Sequence, residues 1–218
     1  MKRNKYIDIN LDLLASDMFK LFGDDQISSL SKLSDEELST RVKGWDNQAF
    51  EILYDKYKDK IFSYVRNILN YNKDDATSVL SDVFIKVFEY LKSYEVKNFK
   101  TFIYRIAHNT AIDCIRTSKS GIYTDDETAK LVEDTQSVTE KENVNTQFKQ
   151  KIMMWFLSQI EERFRNVLYL YYFEEKSYDE IAEIIESNKN TVGTMILNGK
   201  KALKEKIKDE DIIRELSF

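Results

Sequence analysis

The chain has no proline, only five glycines, one cysteine and one histidine among its 218 residues. Without proline and with few glycines, helices have few points at which they must break, so long helices are expected. The single cysteine, Cys114, cannot form a disulfide within the chain, and with only His108 beside it a Cys/His zinc site is effectively excluded.

Long apolar runs are missing as well. Lys2, Arg3 and Lys5 stand near the N-terminus, but Asp8 and Asp12 follow them and no long apolar stretch comes after. A secretory signal and a membrane span are therefore not predicted, and we expect a cytoplasmic protein without membrane insertion. Paired carboxylates, a nucleophile–base set and a glycine-rich phosphate loop are absent at usable spacing, so neither an enzyme nor a cofactor is expected.

The net charge of −5 argues against a protein that binds nucleic acid over its whole surface. The charge is uneven, however, because residues 97–119 and 187–208 are both strongly basic. An acidic segment, residues 125–142, separates them. Local charge decides what a ligand meets at close range, so the sequence predicts two binding surfaces on two domains.

Apolar residues recur at helical spacing along most of the chain, and alternation typical of strands is absent over any useful length. Ser34 with Glu37 forms a possible capping box, and Asp74 or Asp75 is a possible N-cap of a later helix. The predicted helices cover approximately 49–69, 75–91, 99–116, 146–160, 162–173, 178–186 and 190–206. We therefore expect an all-α fold of two small helical domains, 34–117 and 146–218, with an N-terminal extension (1–33) and a flexible acidic linker (118–145).

The segment FKTFIYRIAHNTAIDCIR, residues 99–116, combines a polar stripe with aromatic rings. Arg105, Asn109, Asp113 and Arg116 share one helical face, which suits contact with phosphates and base edges. The rings of Phe99, Phe102 and Tyr104 could stack on unpaired bases. The alternative is an ordinary amphipathic helix with a solvated polar face and the rings in the core.

The segment SYDEIAEIIESNKNTVGTMILNGKKAL near the C-terminus has the layout of a helix-turn-helix. Asn190 is a candidate N-cap for the second helix, whose predicted core positions are Val192, Ile196, Gly199 and Leu203. The outward face would carry Thr191, Thr194, Met195, Asn198 and Lys201. Glu186 stands where such turns often have glycine, and a left-handed backbone there would cost about 1 kcal/mol. A plain helical hairpin remains the alternative.

In the order of its segments the chain resembles an extracytoplasmic-function (ECF) RNA polymerase sigma factor of the sigma-70 superfamily, from about Asp35 to Lys206. AFEILYDKYKDKIFSYVRNIL and DATSVLSDVFIKVFEYL resemble the first and the polymerase-docking helices of region 2, and residues 99–116 resemble its promoter-melting and −10 segment. ERFRNVLYLYYFEEKSYDEIAEII and NTVGTMILNGKKAL resemble region 4, which reads the −35 element. The resemblance implies a factor that binds core polymerase, recognises both promoter elements and promotes melting.

The resemblance also implies three sets of site residues. The set expected to bind core polymerase is Asp75, Val79, Leu80, Asp82, Val83, Phe84 and Lys86. The set expected at the −10 element is Lys97, Phe99, Lys100, Phe102, Tyr104, Arg105, His108, Asn109, Asp113 and Arg116. The set expected at the −35 element is Lys189, Asn190, Thr191, Thr194, Met195, Asn198, Lys200 and Lys201.

The implied partners are the β′ clamp and β flap of bacterial core polymerase, promoter DNA as duplex and as non-template single strand, and an anti-sigma factor. Gly193, Met195 and Asn198 depart from the family, which often has Lys or Arg there, so weaker phosphate contacts are expected. Two other hypotheses stay open at this point. One is a helix-turn-helix regulator that is not a polymerase subunit, and the other is a helical interaction protein without a DNA role.

Overall fold

The computed structural model describes residues 30–70, 72–118 and 152–208, and every regular element within these ranges is an α-helix. The first unit contains α1 (Asp35–Lys43), α2 (Asn47–Ile68), α3 (Lys73–Ser93) and α4 (Phe99–Ser118). The second unit contains α5 (152–158), α6 (Glu162–Tyr172), α7 (Tyr178–Ile184) and α8 (Lys189–Ile207). The all-α prediction is confirmed. The first 29 residues of the N-terminal extension and the predicted linker after Ser118 lie outside the described residues.

Side chains just before each helix determine where several helices begin. Ser34 and Glu37 form the predicted capping box of α1, each side chain bonding the other residue's backbone N–H. Two predicted caps were wrong. Asn72, not Asp74 or Asp75, caps α3, and Asn188, not Asn190, caps α8 by accepting a 2.8 Å hydrogen bond from Thr191 N–H. In both cases an asparagine at an earlier position has the extended backbone that an N-cap needs, so the expected residue is already inside the helix.

The first unit is built around α4, which packs against α2, α3 and α7. Phe99, Ile103, Ala107 and Ala111 lie at i, i+4, i+8 and i+12 and are completely buried. Leucine and isoleucine side chains of α2 and mainly valine side chains of α3 complete this core, each stabilising the fold by about 1.5–3 kcal/mol when fully buried. Because neighbours cover α4 on several sides, its buried surface extends well beyond one helical stripe.

The two units are in direct contact. Tyr64 of α2 is fully buried between Tyr104 of α4 and Tyr169 of α6, with ring centroids 5.4 Å and 5.6 Å away. Asn67 Nδ2 donates to Asn166 Oδ1 at 3.2 Å, and both side chains are buried. This boundary therefore has the packing of a protein core.

None of the described helices combines the length and the apolar character that a membrane span requires.

Candidate nucleic-acid and docking surfaces

Helices α7 and α8 form the predicted helix-turn-helix. Ser177 and Glu180 form a capping box at the start of α7, and Ser187 N–H donates to the Ala182 carbonyl at 2.8 Å in the turn. Glu186 has a φ of 52°, the left-handed conformation that the turn required of it. The predicted core positions of α8, which are Val192, Ile196, Gly199 and Leu203, are all buried. The turn geometry therefore favours the helix-turn-helix over the plain hairpin.

The outward face of α8 is more limited than the sequence suggested. Asn190, Thr194, Asn198 and Lys201 are exposed, and Thr191 is half-buried. Met195 instead lines a cleft of about 440 Å³ together with His108. The two remaining lysines of the predicted −35 set have partners within the second unit. Lys189 Nζ lies 2.7 Å from Asp179 Oδ2, and Lys200 Nζ lies over the rings of Tyr171 and Tyr172.

The three rings that were expected to stack on unpaired bases are buried. The exposed fractions are 0% for Phe99, 4% for Phe102 and 0% for Tyr104. Phe99 packs edge-on against Tyr57 with ring centroids 5.3 Å apart, and Tyr104 packs against Tyr64. The expectation that these rings are available to bases is therefore corrected, because the fold uses them as core residues.

Two tyrosines that the sequence analysis missed are exposed close to the buried rings. Tyr90 and Tyr94, at the end of α3, are 38% and 59% exposed, and their ring centroids are 4.9 Å apart. Tyr90 also packs on Phe102 at 4.7 Å, so the pair extends the aromatic cluster of the core to the surface. Lys97 is exposed in the loop that follows. Tyr90 and Tyr94 lie three and seven positions after the buried Val87, on the apolar stripe of α3, so the sequence pattern alone does not indicate that they are exposed.

The predicted polar stripe of α4 is divided in two. Asp113 and Arg116 are exposed and pair with each other at 3.5 Å. Arg105 and Asn109 are only partly exposed, and both face α7 and its turn. Arg105 Nη1 lies 3.9 Å from Glu183 Oε1, and Asn109 Nδ2 donates to Glu186 Oε1 at 2.9 Å.

His108 is half-buried and lines the same cleft as Met195. Its Nδ1 lies 3.0 Å from the hydroxyl of Tyr64. Burial lowers the pKa of His108 to about 4, while the nearby Glu186 carboxylate opposes this shift. His108 is therefore neutral at physiological pH and supplies no positive charge for a phosphate.

Lys100, at the start of α4, lines a polar cleft of about 540 Å³ together with Lys60 and Glu174. Burial raises the pKa of Glu174, and the nearby Tyr104 hydroxyl and lysines oppose this shift. Burial lowers the pKa of the neighbouring Lys176, whose ammonium lies 3.0 Å from Glu180. This cleft lies where the two units meet, so in this arrangement Lys100 faces the second unit.

The predicted docking residues of α3 divide between the core and a groove. Val79 and Val83 are buried in the core, and the backbone N–H of Asp75 bonds to its N-cap. Asp82 is exposed, and Lys86 Nζ donates to Thr110 Oγ1 of α4 at 3.1 Å. Leu80 and Phe84 line an open apolar groove of about 530 Å³. The other residues that line it are Asn47, Phe50, Tyr54, Ser81, Ile85 and Phe88.

No group of three or more His, Cys, Asp or Glu residues within the described ranges is placed to hold a metal ion.

Comparison with known proteins agrees with this geometry. Residues 53–120 match the family model of sigma-70 region 2, and residues 156–203 match that of sigma-70 region 4. The chain is 33% identical over 183 residues to the ECF RNA polymerase sigma factor SigW of Bacillus subtilis, covering 78% of this chain and 94% of that protein. It is 26% identical over 184 residues to the ECF RNA polymerase sigma-E factor of Haemophilus influenzae, covering 81% and 96%.

Among solved structures, CnrH in complex with the cytosolic domain of CnrY has a similar fold. The TM-score is 0.57 at 16% identity, over 78% of this chain and 95% of CnrH. The two family models match the two helical units in the order in which they follow along the chain. The chain therefore belongs to the ECF RNA polymerase sigma factors.

Proposed function

We propose that the chain binds bacterial core RNA polymerase, directs it to promoters through −35 and −10 elements, and promotes melting of the DNA. The observation that carries this proposal is the combination, in one chain, of a helix-turn-helix with an exposed polar face on α8 and an open apolar groove between α2 and α3. A helix-turn-helix alone needs no such groove. A specificity subunit needs both, because it must hold DNA and polymerase at once.

The groove suits a helix of the polymerase β′ clamp. Its sides are aromatic, with Phe50 and Phe88 in contact at 4.8 Å and Tyr54 against Phe84 at 4.6 Å. Ile85, at its edge, is 55% exposed and continues the apolar surface of the groove, and a contiguous apolar surface of this kind marks a site for a partner. Asp82 is exposed one helical turn before Lys86 and can supply a polar contact at the rim.

On the DNA side, the exposed residues of α8 would read the −35 element in the major groove. Thr194 and Asn198 offer short polar side chains to base edges, and Lys201 can hold a phosphate. The second unit would meet the β flap, and an anti-sigma factor would be a further partner, as the family resemblance implies.

At the −10 element we assign the capture of an unpaired base to Tyr90 and Tyr94. Both rings are exposed and already packed against each other, so little conformational entropy is lost when a base stacks on them. Lys97 and Arg116 are exposed and can hold the strand's phosphates. This assignment replaces the buried Phe99, Phe102 and Tyr104 as stacking residues.

Core binding without DNA tests the proposal. Ile85→Asp places a charge in the groove, and we expect at least a tenfold (about 1.4 kcal/mol) loss of affinity for core polymerase. Leu197→Asp on α8 is the matched control, because Leu197 is also 55% exposed but does not line the groove. It should leave the affinity within about twofold of the wild-type value. Equal affinities of both variants and the wild-type chain would contradict docking at this groove, and absence of any core binding would contradict the function.

A further inference from the structure

The connection between α1 and α2 holds a tryptophan in an unusual conformation. Trp45 has a φ of 66°, in the left-handed region where a bulky side chain is a genuine outlier. It is also 70% exposed, more than any other large apolar residue in the described ranges. So exposed a ring gains little from hydrophobic burial within the chain, because most of its surface stays in water. The strain and the exposed ring together point to a role outside the folding of the first unit.

Backbone hydrogen bonds hold this conformation in place. The N–H of Trp45 donates to the Val42 carbonyl at 2.9 Å, and the N–H of Asp46 donates to the Arg41 carbonyl at 3.2 Å. These two bonds form the Schellman pattern that ends many helices, and Trp45 occupies its left-handed position, where glycine is the usual residue. The neighbouring Gly44 has a φ of −80°, which any residue can adopt. The turn itself therefore gives no reason for a tryptophan.

Trp45 stands next to the apolar groove of the first unit. Lys92 Nζ lies 4.4 Å from the centroid of the Trp45 ring and 4.6 Å from that of the Phe88 ring. Phe88 lines the groove, where it packs on Phe50. The Lys92 ammonium thus lies against both rings, and Trp45 continues the aromatic surface of the groove beyond its last lining residue on α3.

A single partner helix is long enough to cover this whole surface. Between Leu80 and Lys92 helix α3 rises about 18 Å, which a helix of about 12 residues would match. Tryptophan is enriched among the residues that contribute most to binding at protein interfaces. Because hydrogen bonds already fix the backbone of Trp45, a partner that covers the ring orders it at a small cost in conformational entropy.

We propose that Trp45 is a contact residue for core polymerase: the polymerase helix that occupies the groove continues past Phe88 and covers the indole of Trp45 beside Lys92. This rests on the proposed function, which assigns the groove to polymerase but gives no role to this end of it. The Lys92 ammonium favours an acidic side chain on the polymerase helix at the same place.

Three substitutions of Trp45 separate binding by the ring from an effect on folding. Trp45→Gly and Trp45→Ala both remove the ring, but only glycine relieves the left-handed backbone, so the glycine variant should have the higher midpoint in urea unfolding. Trp45→Phe keeps a ring and the strain. We expect the glycine and alanine variants to lose affinity for core polymerase equally, by at least about fivefold (about 1 kcal/mol). The phenylalanine variant should stay within about threefold of the wild-type affinity.

Glu175→Gly is the matched control. Glu175 is exposed and has a φ of 51°, so glycine relieves the same kind of strain there without removing a ring. This control should unfold at a higher urea concentration than the wild-type chain and bind core polymerase within about twofold of it. All affinities are measured with the full chain and without DNA, beside Ile85→Asp from the centre of the groove.

Unchanged affinity of Trp45→Gly would overturn the proposal, and so would affinities that follow the unfolding midpoints instead of the presence of a ring. Loss of affinity in Ile85→Asp alone would leave docking at the groove intact and remove only the role of Trp45. Unchanged affinity in both would remove docking at the groove, and absence of core binding by the wild-type chain would remove the function itself.

Two measurements on the free chain test the other possible occupants of this surface. The fluorescence difference between the wild-type chain and Trp45→Phe isolates the emission of Trp45, which acrylamide should quench readily. Protection from acrylamide would show that another segment of the chain already covers the ring, and would overturn the proposal. Sedimentation velocity should show a monomer, whereas dimers that Trp45→Gly abolishes would assign the ring to a second copy of the chain.

Discussion

Asn109 of α4 donates a 2.9 Å hydrogen bond to Glu186 in the turn of the helix-turn-helix, 77 residues further along the chain. The contact joins the two segments from which DNA recognition was inferred. Glu186 also has the left-handed backbone of the turn, with a φ of 52°. The same residue thus shapes the turn and covers a candidate DNA-binding side chain.

The backbone of Glu186 gives the first prediction. Glu186→Gly and Glu186→Ala both remove the carboxylate, but only glycine adopts a φ of 52° without strain. We expect the glycine variant to have a free energy of unfolding about 1 kcal/mol higher than the alanine variant in urea titrations. Equal stabilities would show that the turn is not left-handed in solution.

Two glycines of α8 should respond in opposite ways to alanine. A Cβ on Gly199 would lie 3.0 Å from Leu168 Cδ1 and 3.1 Å from Phe164 Cβ, whereas one on Gly193 would meet only the Tyr178 ring at 3.6 Å. Gly199→Ala should therefore lower the free energy of unfolding by about 1–3 kcal/mol. Gly193→Ala should raise it by about 0.5–1 kcal/mol, because alanine favours helix. Thermal unfolding of the two variants side by side checks this, and a stabilising Gly199→Ala would contradict the packing of α8 on α6.

The buried Arg165 should matter far more than its exposed neighbour. Arg165→Met leaves the Asn70 side chain and the Ile68 carbonyl without their guanidinium donor, and we expect a loss of about 1–3 kcal/mol in urea unfolding. Arg163, paired with Glu161 at 2.9 Å on the surface, is the control. Arg163→Met should change stability little, because exposed ion pairs contribute little. Similar losses from both substitutions would argue against the interface seen here.

Acid should weaken the packing around His108. Its pKa is about 4 in the folded chain against 6.5 for an exposed histidine, so the neutral form is favoured on folding. The resulting stability is present in full above pH 6.5 and is lost as the pH falls toward 4. The loss amounts to about 2 kcal/mol at pH 5.

Other ionisable groups lie near His108 and titrate too. Tyr64 and Glu186 face it directly, and Glu161, Glu162 and Arg163 line the same cleft. The measurement is therefore a difference. The change in unfolding free energy between pH 7 and pH 5 is compared for the wild-type chain and for His108→Gln, which keeps all these groups. The wild-type chain should lose more, and equal losses would mean that His108 is exposed.

Removing the exposed tyrosine pair should impair strand opening. With holoenzyme on a promoter, Tyr90→Ala with Tyr94→Ala should reduce permanganate reactivity of −10 thymines at least about tenfold, since each base–aromatic contact contributes about 1–3 kcal/mol. Tyr172→Ala is the control, because Tyr172 is 50% exposed in the second unit. Binding of core polymerase should be unchanged in both. Normal promoter opening by the double variant would show that residues other than Tyr90 and Tyr94 bind the unpaired bases.

The sequence predicted the helices well because their apolar residues recur with helical period and several boundaries carry local signals, as Ser34 and Glu37 do. The N-caps of α3 and α8 were missed because two capping residues stood within three positions of each other and only the backbone conformation decides between them. In α8 these were Asn188 and Asn190.

The candidate site was harder to predict because it depends on contacts between distant segments. Helical periodicity alone predicts that Phe99 is buried. Tyr104 is buried because Tyr64 of α2 packs against its ring and the loop that carries Glu174 lies beside it. Similarly, nothing local to Arg105 or Asn109 indicates that α7 covers them. The order of the matching segments along the chain identified the family. The exposure of each polar side chain depends on how the helices pack, and the sequence pattern does not show this.

Transcription in vitro tests the central claim most directly. The purified chain is mixed with core polymerase from its own host and fragments of the host genome, and the start sites of new transcripts are sequenced. We expect transcripts from a small set of promoters that share −35 and −10 sequences, only when chain and core are both present, and expect them to be reduced by Ile85→Asp but not by Tyr172→Ala. No chain-dependent transcripts, or transcripts indifferent to Ile85→Asp, would contradict the account.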